Sequence, residues 1–391
     1  MKILNISYLI MLLYITIFTL SGLSGICFGQ AMDDPAVKYE KKFEVSVVNP
    51  IDLTRKNEPV VIPIKQILEK YPDFNTFFYR VKFKSNSFEP SDIPSQIKML
   101  PGFDKTDDEL VFQLDFSPKE TITVEVLYNT KGEGVICYPV KTQASDSWYR
   151  PGNNLFWENE LVAYRSYNGV VDIFGKTYPH LRLQELLPDS YHHERLWGID
   201  PYMIGNKPGL GGILLFNGGQ ITKCYGDGNN NIVYSAFDGG PVTAGGVVSN
   251  SPNVISIYNI FAGRYENYVF SRPFSGKNNV LVAPGMQKFD KSEIIKDEKA
   301  GYVLCWGNPV DEYGYVGTAL VWNPKDYEGI YEDDNGIFIK LRPSNKFGAS
   351  YSSLAVWNRA SSGEKPGSDA FAGLVKFVAR CFQNPVSVTI K

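Results

Sequence analysis

Alternation of apolar and polar residues is the feature that most restricts how this chain can fold. Between residues 40 and 145 it recurs in KFEVSVVN, FFYRVKFK, LVFQLDF and TITVEVLY, so that Phe43, Val45 and Val47, for example, fall on one side of a strand. A period of two is typical of β-strands with one buried face. Turn-forming pairs separate the runs, and only one short helix is predicted, near residues 64–70. Residues 30–147 are therefore predicted to form a small antiparallel β-sandwich.

The polar segment KTQASDSWYRPGNN marks a predicted domain boundary. Beyond it, apolar runs such as GGILLF, NVISIYNIFA, NYVFSRPF and GYVLCWG follow one another too densely for an alternating α/β fold. The 35 Gly and 24 Pro of the chain fit short strands joined by turns. One long helix is predicted at 368–381, with Ser368 as its N-cap, and PVSVTIK follows as a last strand. The chain is thus predicted to be mainly all-β, with two large packed antiparallel sheets in residues 148–391.

The first 29 residues have the pattern of a secretory signal peptide. Lys2 precedes an apolar stretch from Tyr8 to Leu20, and small residues lead to a predicted cleavage site after Gly29. The apolar stretch is too short to predict a membrane span, so we expect export to the periplasm.

With a net charge of -3 and no basic run, the chain is not expected to bind nucleic acid.

The four cysteines of the predicted mature chain, Cys137, Cys224, Cys305 and Cys381, are widely spaced and form no CxxC pair. This spacing argues against a zinc site, and neither a metal nor a cofactor is predicted. In an exported protein the four could form disulfides in three pairings. Buried thiols fit the sequence equally well.

Histidine is rare and concentrated. The chain has three, of which His192 and His193 lie in SYHHERLWGID and His180 lies shortly before it. Because imidazole titrates nearest to neutral pH, histidine is well suited to general acid–base catalysis. On an extended strand, His192 and His193 would point to opposite faces, so at most one could line a given cleft.

Other residue types typical of a catalytic site surround these histidines. Tyr191 is a second proton donor, and Arg165 and Lys207 are cations able to hold a carboxylate. The expected substrate-binding residues are Trp157, Trp197, Lys176 and Asp200, with the tryptophans stacking on sugar rings. No GxSxG, P-loop or HExxH motif is present, and GNKPGLGG lacks the context of a dinucleotide-binding loop.

WENELVAYRSYNGVVDIFGK, LLPDSYHHERLWGIDPYMIGNKPGLGG and the N-terminal NPIDLTRKNEPV resemble the domain-of-unknown-function family 4861. The resemblance covers most of the mature chain. It implies an exported bacterial protein of polysaccharide utilisation and a galactose-mutarotase-like β-supersandwich over residues 148–391. One member type acts on ulvan oligosaccharides as a dehydratase of the terminal uronic acid. Counting from Trp197, the resemblance places the family's histidine at His192.

Forming a 4,5-unsaturated uronic acid removes the C5 proton and the C4 hydroxyl. A base must reach C5, an acid must protonate the leaving oxygen, and a cation must offset charge on the carboxylate. We expect His192 and Tyr191 to share the first two roles, and Arg165 or Lys207 to hold the carboxylate of a uronic-acid oligosaccharide. The alternatives are a glycan-binding protein, a glycoside hydrolase that uses Glu158 and Asp200, and an epimerase-like enzyme. Dehydration or chain cleavage, the glycan, its sulfation and the oligomeric state remain open.

Overall fold

The structure is a computed structural model of the chain. It describes residues 38–84, 92–100, 107–132, 137–147, 152–182, 191–228, 231–237, 239–276, 279–344, 348–360 and 367–391. The predicted signal peptide, residues 1–29, and the predicted start of the large domain at Trp148 lie outside these ranges. In the described part of the chain, no helix combines the length and apolar character needed to cross a membrane.

Strands make up most of the described chain, with two α-helices, α1 (Ile64–Lys70) and α2 (Ser368–Gln383). The strands are β1 (Lys41–Val48), β2 (Arg55–Pro63), β3 (Tyr79–Phe83), β4 (Asp92–Ile93), β5 (Ser95–Lys98), β6 (Glu109–Phe116), β7 (Thr121–Tyr128), β8 (Thr142–Ser145), β9 (Leu155–Asn159), β10 (Val162–Tyr167), β11 (Val170–Lys176), β12 (Gly198–Ile199), β13 (Leu210–Asn217), β14 (Gln220–Lys223), β15 (Ile232–Phe237), β16 (Thr243–Asn250), β17 (Val254–Phe261), β18 (Glu266–Pro273), β19 (Leu281–Gln287), β20 (Glu293–Asp297), β21 (Tyr302–Gly307), β22 (Val316–Trp322), β23 (Tyr327–Glu332), β24 (Gly336–Leu341), β25 (Ala349–Trp357) and β26 (Ser387–Ile390).

The N-terminal unit is the predicted small sandwich. One sheet has the order β26-β1-β7-β3-β4 and the other the order β2-β6-β5. The alternating residues Phe43, Val45 and Val47 are buried between the sheets, and α1 adds Ile64 and Ile67 to the same core. Because successive side chains of a strand point to opposite faces, burial of one face produces the alternating apolar pattern seen in this part of the sequence.

The C-terminal strand β26 lies in this N-terminal sandwich, where Ile390 pairs with Val45. The sequence had placed the strand with residues 148–391. Conversely, β8 precedes the predicted boundary but pairs with β9 in the large unit. One strand on each side of the predicted boundary thus belongs to the other unit: β26 to the small sandwich and β8 to the large unit. Strand pairing depends on partners that are distant in sequence, so the boundary alone does not assign these strands.

The large unit has two layers. One layer is the eight-stranded sheet β15-β16-β17-β18-β25-β22-β21-β20. Facing it are two five-stranded sheets, β12-β11-β10-β9-β8 (the site sheet) and β14-β13-β19-β24-β23, which meet where Val171 bridges to Gly209. Side chains from all three sheets share one core. The predicted mainly-β fold, a small sandwich followed by a large β-supersandwich, is confirmed.

Helix α2 covers the outer face of the eight-stranded sheet. Phe371, Val375 and Val378 recur at intervals of four and three residues and pack on Leu304 and Val321. Such spacing puts apolar side chains on one helix face. The helix continues to Gln383, two residues beyond the predicted end, and its N-cap is Gly367, one residue before the predicted Ser368.

A buried ionic cluster joins the two units. Arg55 and Glu58 come from β2, and Arg264 and Glu266 come from the large unit at the start of β18. Arg55 Nη1 lies 2.7 Å from Glu58 Oε1, and Arg264 Nη1 lies 3.0 Å from Glu58 Oε2. Arg264 also pairs with Glu266. We call these four residues the junction cluster.

Candidate functional site

The site sheet is buried on both faces. Trp157, Tyr164 and Ile173 point into the main core. Because side chains alternate along a strand, the residues between them point to the opposite face. There Phe174 packs with Trp197 of the segment 191–200, which we call the covering segment. The candidate site lies between this outer face and the covering segment.

The covering segment is a set of turns rather than the extended strand that would send neighbouring histidines to opposite faces. Backbone hydrogen bonds in both directions join Arg195 and Gly198. Gly198 has φ 139°, and a Cβ there would collide with the carbonyl oxygen of Gly175 on β11. Only glycine fits this close approach. His193 is exposed, whereas the His192 side chain is 38% exposed and faces Asp200.

A tight hairpin brings Arg165 to Asp172. Asn168 and Gly169 both have positive φ, 47° and 73°, as the two central residues of a type I′ turn require. The resulting register pairs Tyr167 with Val170 and Arg165 with Asp172. Arg165 Nη2 lies 2.6 Å from Asp172 Oδ2, and both side chains are buried.

Four side chains converge at this hairpin and a fifth covers them. Asp200 Oδ2 lies 3.7 Å from Arg165 Nη2 and 3.6 Å from His192 Nδ1. The backbone N–H of Tyr202 donates to Asp200 Oδ1 at 3.0 Å, and His192 Nδ1 lies 3.3 Å from the Asp200 carbonyl oxygen. The Tyr191 ring lies 4.7 Å from the Arg165 guanidinium and 4.5 Å, centre to centre and tilted by 55°, from the His192 ring. We call Arg165, Asp172, Asp200, Tyr191 and His192 the site cluster.

The two carboxyl groups of the site cluster outnumber its one permanent cation. Burial, followed by the charge of Asp172, raises the pKa of Asp200 well above its ordinary value. Burial also raises the pKa of Asp172, although the Arg165 charge opposes this. Two carboxylates that share one site cannot both ionise easily, and the single Arg165 cation balances only one of them.

Arg165 supports other side chains and does not reach solvent. It is 5% exposed, and its guanidinium lies 4.7 Å from the ring centres of Tyr167 and Tyr191 and 5.3 Å from that of Phe174. Arg165 was expected to bind a substrate carboxylate, but a side chain this deeply buried does not contact a substrate in solution. Its guanidinium is held by Asp172 and by the rings around it.

Lys176 is also fully internal, in contrast to the substrate-binding role expected for it. Its ammonium pairs with Glu158 and donates to the carbonyl oxygens of Asn159 and His180, the latter at 2.7 Å. Burial lowers the pKa of Lys176, and the charge of Glu158 opposes this. Glu158 in turn accepts from the Arg182 N–H at 2.7 Å. We call Lys176 and Glu158 the closed pair.

The closed pair weighs against the hydrolase alternative. The side chains of Glu158 and Asp200 are both 0% exposed. A catalytic acid or base must contact the substrate, and these two carboxyl groups do not reach the surface. The His180 ring stacks on the exposed Tyr178, and its backbone oxygen accepts a hydrogen bond from Lys176.

The two tryptophans expected to stack on sugar are packed inside the protein. Trp157 is fully buried, stacks on Tyr164, and donates from Nε1 to Asn267 Oδ1 at 2.7 Å. Trp197 is 8% exposed and lies against Phe174. Neither presents a ring face to solvent.

Lys207 is exposed. It lies in a turn that leads to Gly209, which bridges to Val171 on the strand that carries Asp172.

The cysteines of the described residues form no disulfide with one another. Cys224, Cys305 and Cys381 are buried thiols, and Cys137 is exposed. Within the described ranges, no group of three or more His, Cys, Asp or Glu side chains is placed to hold a metal ion.

Asp172 is the site residue that the sequence prediction omitted, although a local signal was present. A two-residue Asn-Gly turn between alternating strands is a strong hairpin signal, and counting outwards from it pairs Arg165 with Asp172. Arg359 was also missed, and no local pattern points to it. Its guanidinium reaches Glu194 across 165 residues of sequence, at 2.7 Å.

Comparison with known proteins agrees with the motif resemblance. Residues 47–388 match the family described as Domain of unknown function (DUF4861). The chain belongs to this family. No curated protein matches it in sequence.

Among solved structures, the DUF4861 chain is similar to a protein in the Glycosyl Hydrolase Family 38 from Enterococcus faecalis, with 11% identity and a TM-score of 0.46. It is also similar to an alpha-mannosidase from Enterococcus faecalis, with 11% identity and a TM-score of 0.48. Each comparison covers 90% of this chain, and 48% and 46% of the other chains respectively. The chain thus spans about half the length of those proteins.

Proposed function

We propose that this protein is an exported, periplasmic dehydratase of polysaccharide degradation. Its substrate is a uronic-acid oligosaccharide of the ulvan type, and its product carries a 4,5-unsaturated uronic acid at the non-reducing end. The observation that supports this most is the His192–Asp200 contact. It joins a half-buried imidazole to two buried carboxyl groups that have a single arginine between them, an arrangement suited to a general base.

His192 is the base in this scheme. Its Nδ1 faces Asp200, so Nε2, on the other side of the ring, is directed away from the carboxyl pair. Nε2 takes the C5 proton, and the electron pair of the C5–H bond forms the C4–C5 double bond. The negative charge of the Asp172–Asp200 pair then stabilises the imidazolium ion.

Tyr191 is the acid. As the C4–O bond breaks, the phenol gives its proton to the departing hydroxyl, which leaves as water. The Arg165 guanidinium lies 4.7 Å from the Tyr191 ring centre, and that buried cation stabilises the phenolate that forms. The proton on His192 returns to Tyr191 through solvent, so one turnover removes one water molecule. Arg165, Asp172 and Asp200 act as positioning residues.

Incubation with a panel of uronic-acid oligosaccharides, read by ultraviolet absorbance and mass, tests the proposal. A dehydratase produces the absorbance of an unsaturated uronate and a mass loss of one water, without a shorter chain. Chain scission with the same absorbance would identify a chain-cleaving lyase. New reducing ends without absorbance would identify a hydrolase, and saturable binding without product would identify a glycan-binding protein. Each of these three results contradicts the dehydratase proposal.

A further inference from the structure

The site cluster has no exposed cation of its own. Its arginine, Arg165, is 5% exposed, and Lys176 of the closed pair, on the same strand as Asp172, is 2% exposed. When C5 of a uronate loses its proton, negative charge builds up on the carboxylate. A cation that the substrate can reach must stabilise this charge. The cation must therefore come from a neighbouring element.

Arg359 lies at the end of β25, beside the covering segment. Its Nη1 donates to Glu194 Oε2 at 2.7 Å, and Glu194 is two residues after His192. Its Nη2 donates to the carbonyl oxygen of Glu312 at 2.7 Å. These two contacts fix the guanidinium between two loops, while the side chain remains 37% exposed. A planar guanidinium held in this way is preorganised for a carboxylate.

The backbone of Tyr315, an exposed aromatic residue, pairs with the residue before Arg359. Tyr315 and Asn358 exchange hydrogen bonds, with Tyr315 N donating to Asn358 Oδ1 and Asn358 N donating to the Tyr315 carbonyl, both at 2.9 Å. Tyr315 is 47% exposed. Its ring lies nearly parallel to that of Trp306, at 11° and 6.1 Å between centres. It offers the sugar-stacking face that Trp157 and Trp197 lack.

We propose that Arg359 and Tyr315 form the subsite that binds the carboxylate and ring face of the terminal uronic acid, in exchange for Glu194. This inference rests on the proposed function for the identity of the sugar. In the free protein the Glu194 carboxylate occupies Arg359, and the substrate carboxylate replaces it. Glu194 is thereby a competitor that selects for anionic over neutral sugars.

Calorimetric binding of a saturated uronic-acid oligosaccharide to the His192→Ala protein tests this without turnover. Arg359→Gln, made in that background, is expected to weaken binding roughly 10- to 100-fold, as for a lost charge-assisted hydrogen bond. Arg359→Lys keeps the charge and should recover part of that loss. Glu194→Gln should change affinity in the opposite direction, to roughly two- to five-fold tighter binding, because it removes a competing exposed ion pair.

The matched control is Arg342→Gln. Arg342 is also an exposed arginine paired with a glutamate, Glu328, and its loss should leave binding unchanged. Unchanged binding in Arg359→Gln would overturn the subsite. So would equal weakening by Arg359→Gln and Glu194→Gln, because that is the result of a purely structural ion pair.

Failure of this inference and failure of the proposed function give different results. If the wild-type protein forms no unsaturated product but Arg359→Gln still weakens uronate binding, the subsite stands and the dehydratase does not. If the product forms and Arg359→Gln binds normally, only the subsite is rejected. Equal affinity for a carboxyl-reduced oligosaccharide would also reject it.

Discussion

The junction cluster and the site cluster are both buried networks of arginine and carboxylate side chains. At the junction, two arginines meet two glutamates, and all four side chains are at most 5% exposed. At the site, Arg165 meets both Asp172 and Asp200, and the network reaches solvent through His192. The first is balanced and closed, whereas the second has one more carboxyl group than it has arginines and is open.

This difference separates stability from function. Removing one member of a balanced buried network leaves a buried charge unpaired, which strongly destabilises the fold. A surplus carboxyl destabilises the fold, and such groups are typical of catalytic sites. We therefore expect mutations at the junction to change the free energy of unfolding, and mutations at the site to change turnover.

The largest effect is expected for His192→Ala. Removal of a general acid–base group slows turnover by a factor of roughly 10²–10⁴, while a half-exposed ring contributes little to stability. Turnover of the uronic-acid oligosaccharide and the melting temperature should be measured on the same purified protein. A lower melting temperature with normal specific activity in the folded fraction would assign His192 to packing instead.

His193→Ala is the matched control for that experiment. His193 is the adjacent histidine and is exposed, so its loss should change turnover little. If the two variants lose activity equally, the contact with Asp200 does not distinguish the two rings.

The next effect is on stability, at the junction. Arg264→Met leaves Glu58 and Glu266 without their shared cation, and we expect a loss of about 3–5 kcal/mol in the free energy of unfolding. Urea unfolding measures this, and the exposed Arg342→Met is the control. Specific activity of the folded fraction should survive. Loss of turnover at unchanged stability would remove the distinction between the two clusters.

Glu158→Gln extends the comparison to the closed pair. The buried Lys176 ammonium keeps two carbonyl partners but loses its counter-charge, so we expect a smaller loss, about 3 kcal/mol. The folded fraction should retain its activity. A glycoside hydrolase that used Glu158 would show the reverse, with normal unfolding and no activity.

The fold could be predicted from sequence where strands have one buried face. In β1, apolar residues alternate visibly and the sandwich was recognised. In β9 and β11 every residue is buried, so the pattern does not show which face meets the core. That is why Trp157 was predicted at the substrate, whereas its side chain packs on Tyr164.

The site could be predicted only as far as local geometry extends. The Asn168–Gly169 turn contained the information that pairs Arg165 with Asp172. Turns, unlike strands, impose no fixed alternation, so the orientation of His192 did not follow from its position next to His193. Contacts between distant segments, such as Arg359 with Glu194, have no signature in a single sequence.

The smallest predicted change in the free energy of unfolding is at Asp200, the carboxyl group in excess over the arginines of the site cluster. The raised pKa of Asp200 means that the folded state holds a proton that the unfolded state releases above the ordinary value of 3.8. The unfolded state therefore binds fewer protons, and stability falls as pH rises from that value towards the raised pKa. Asp200→Asn cannot ionise, so it removes this loss.

The most direct test of the role of the surplus carboxyl is the free energy of unfolding of wild type and Asp200→Asn across this pH range, with turnover measured on the same samples. We predict that the variant is more stable at neutral pH by about 1 kcal/mol, that its stability falls less as pH rises, and that it loses turnover because His192 lacks its partner. Parallel pH curves with unchanged turnover would contradict the account, because Asp200 would then be an ordinary structural carboxyl.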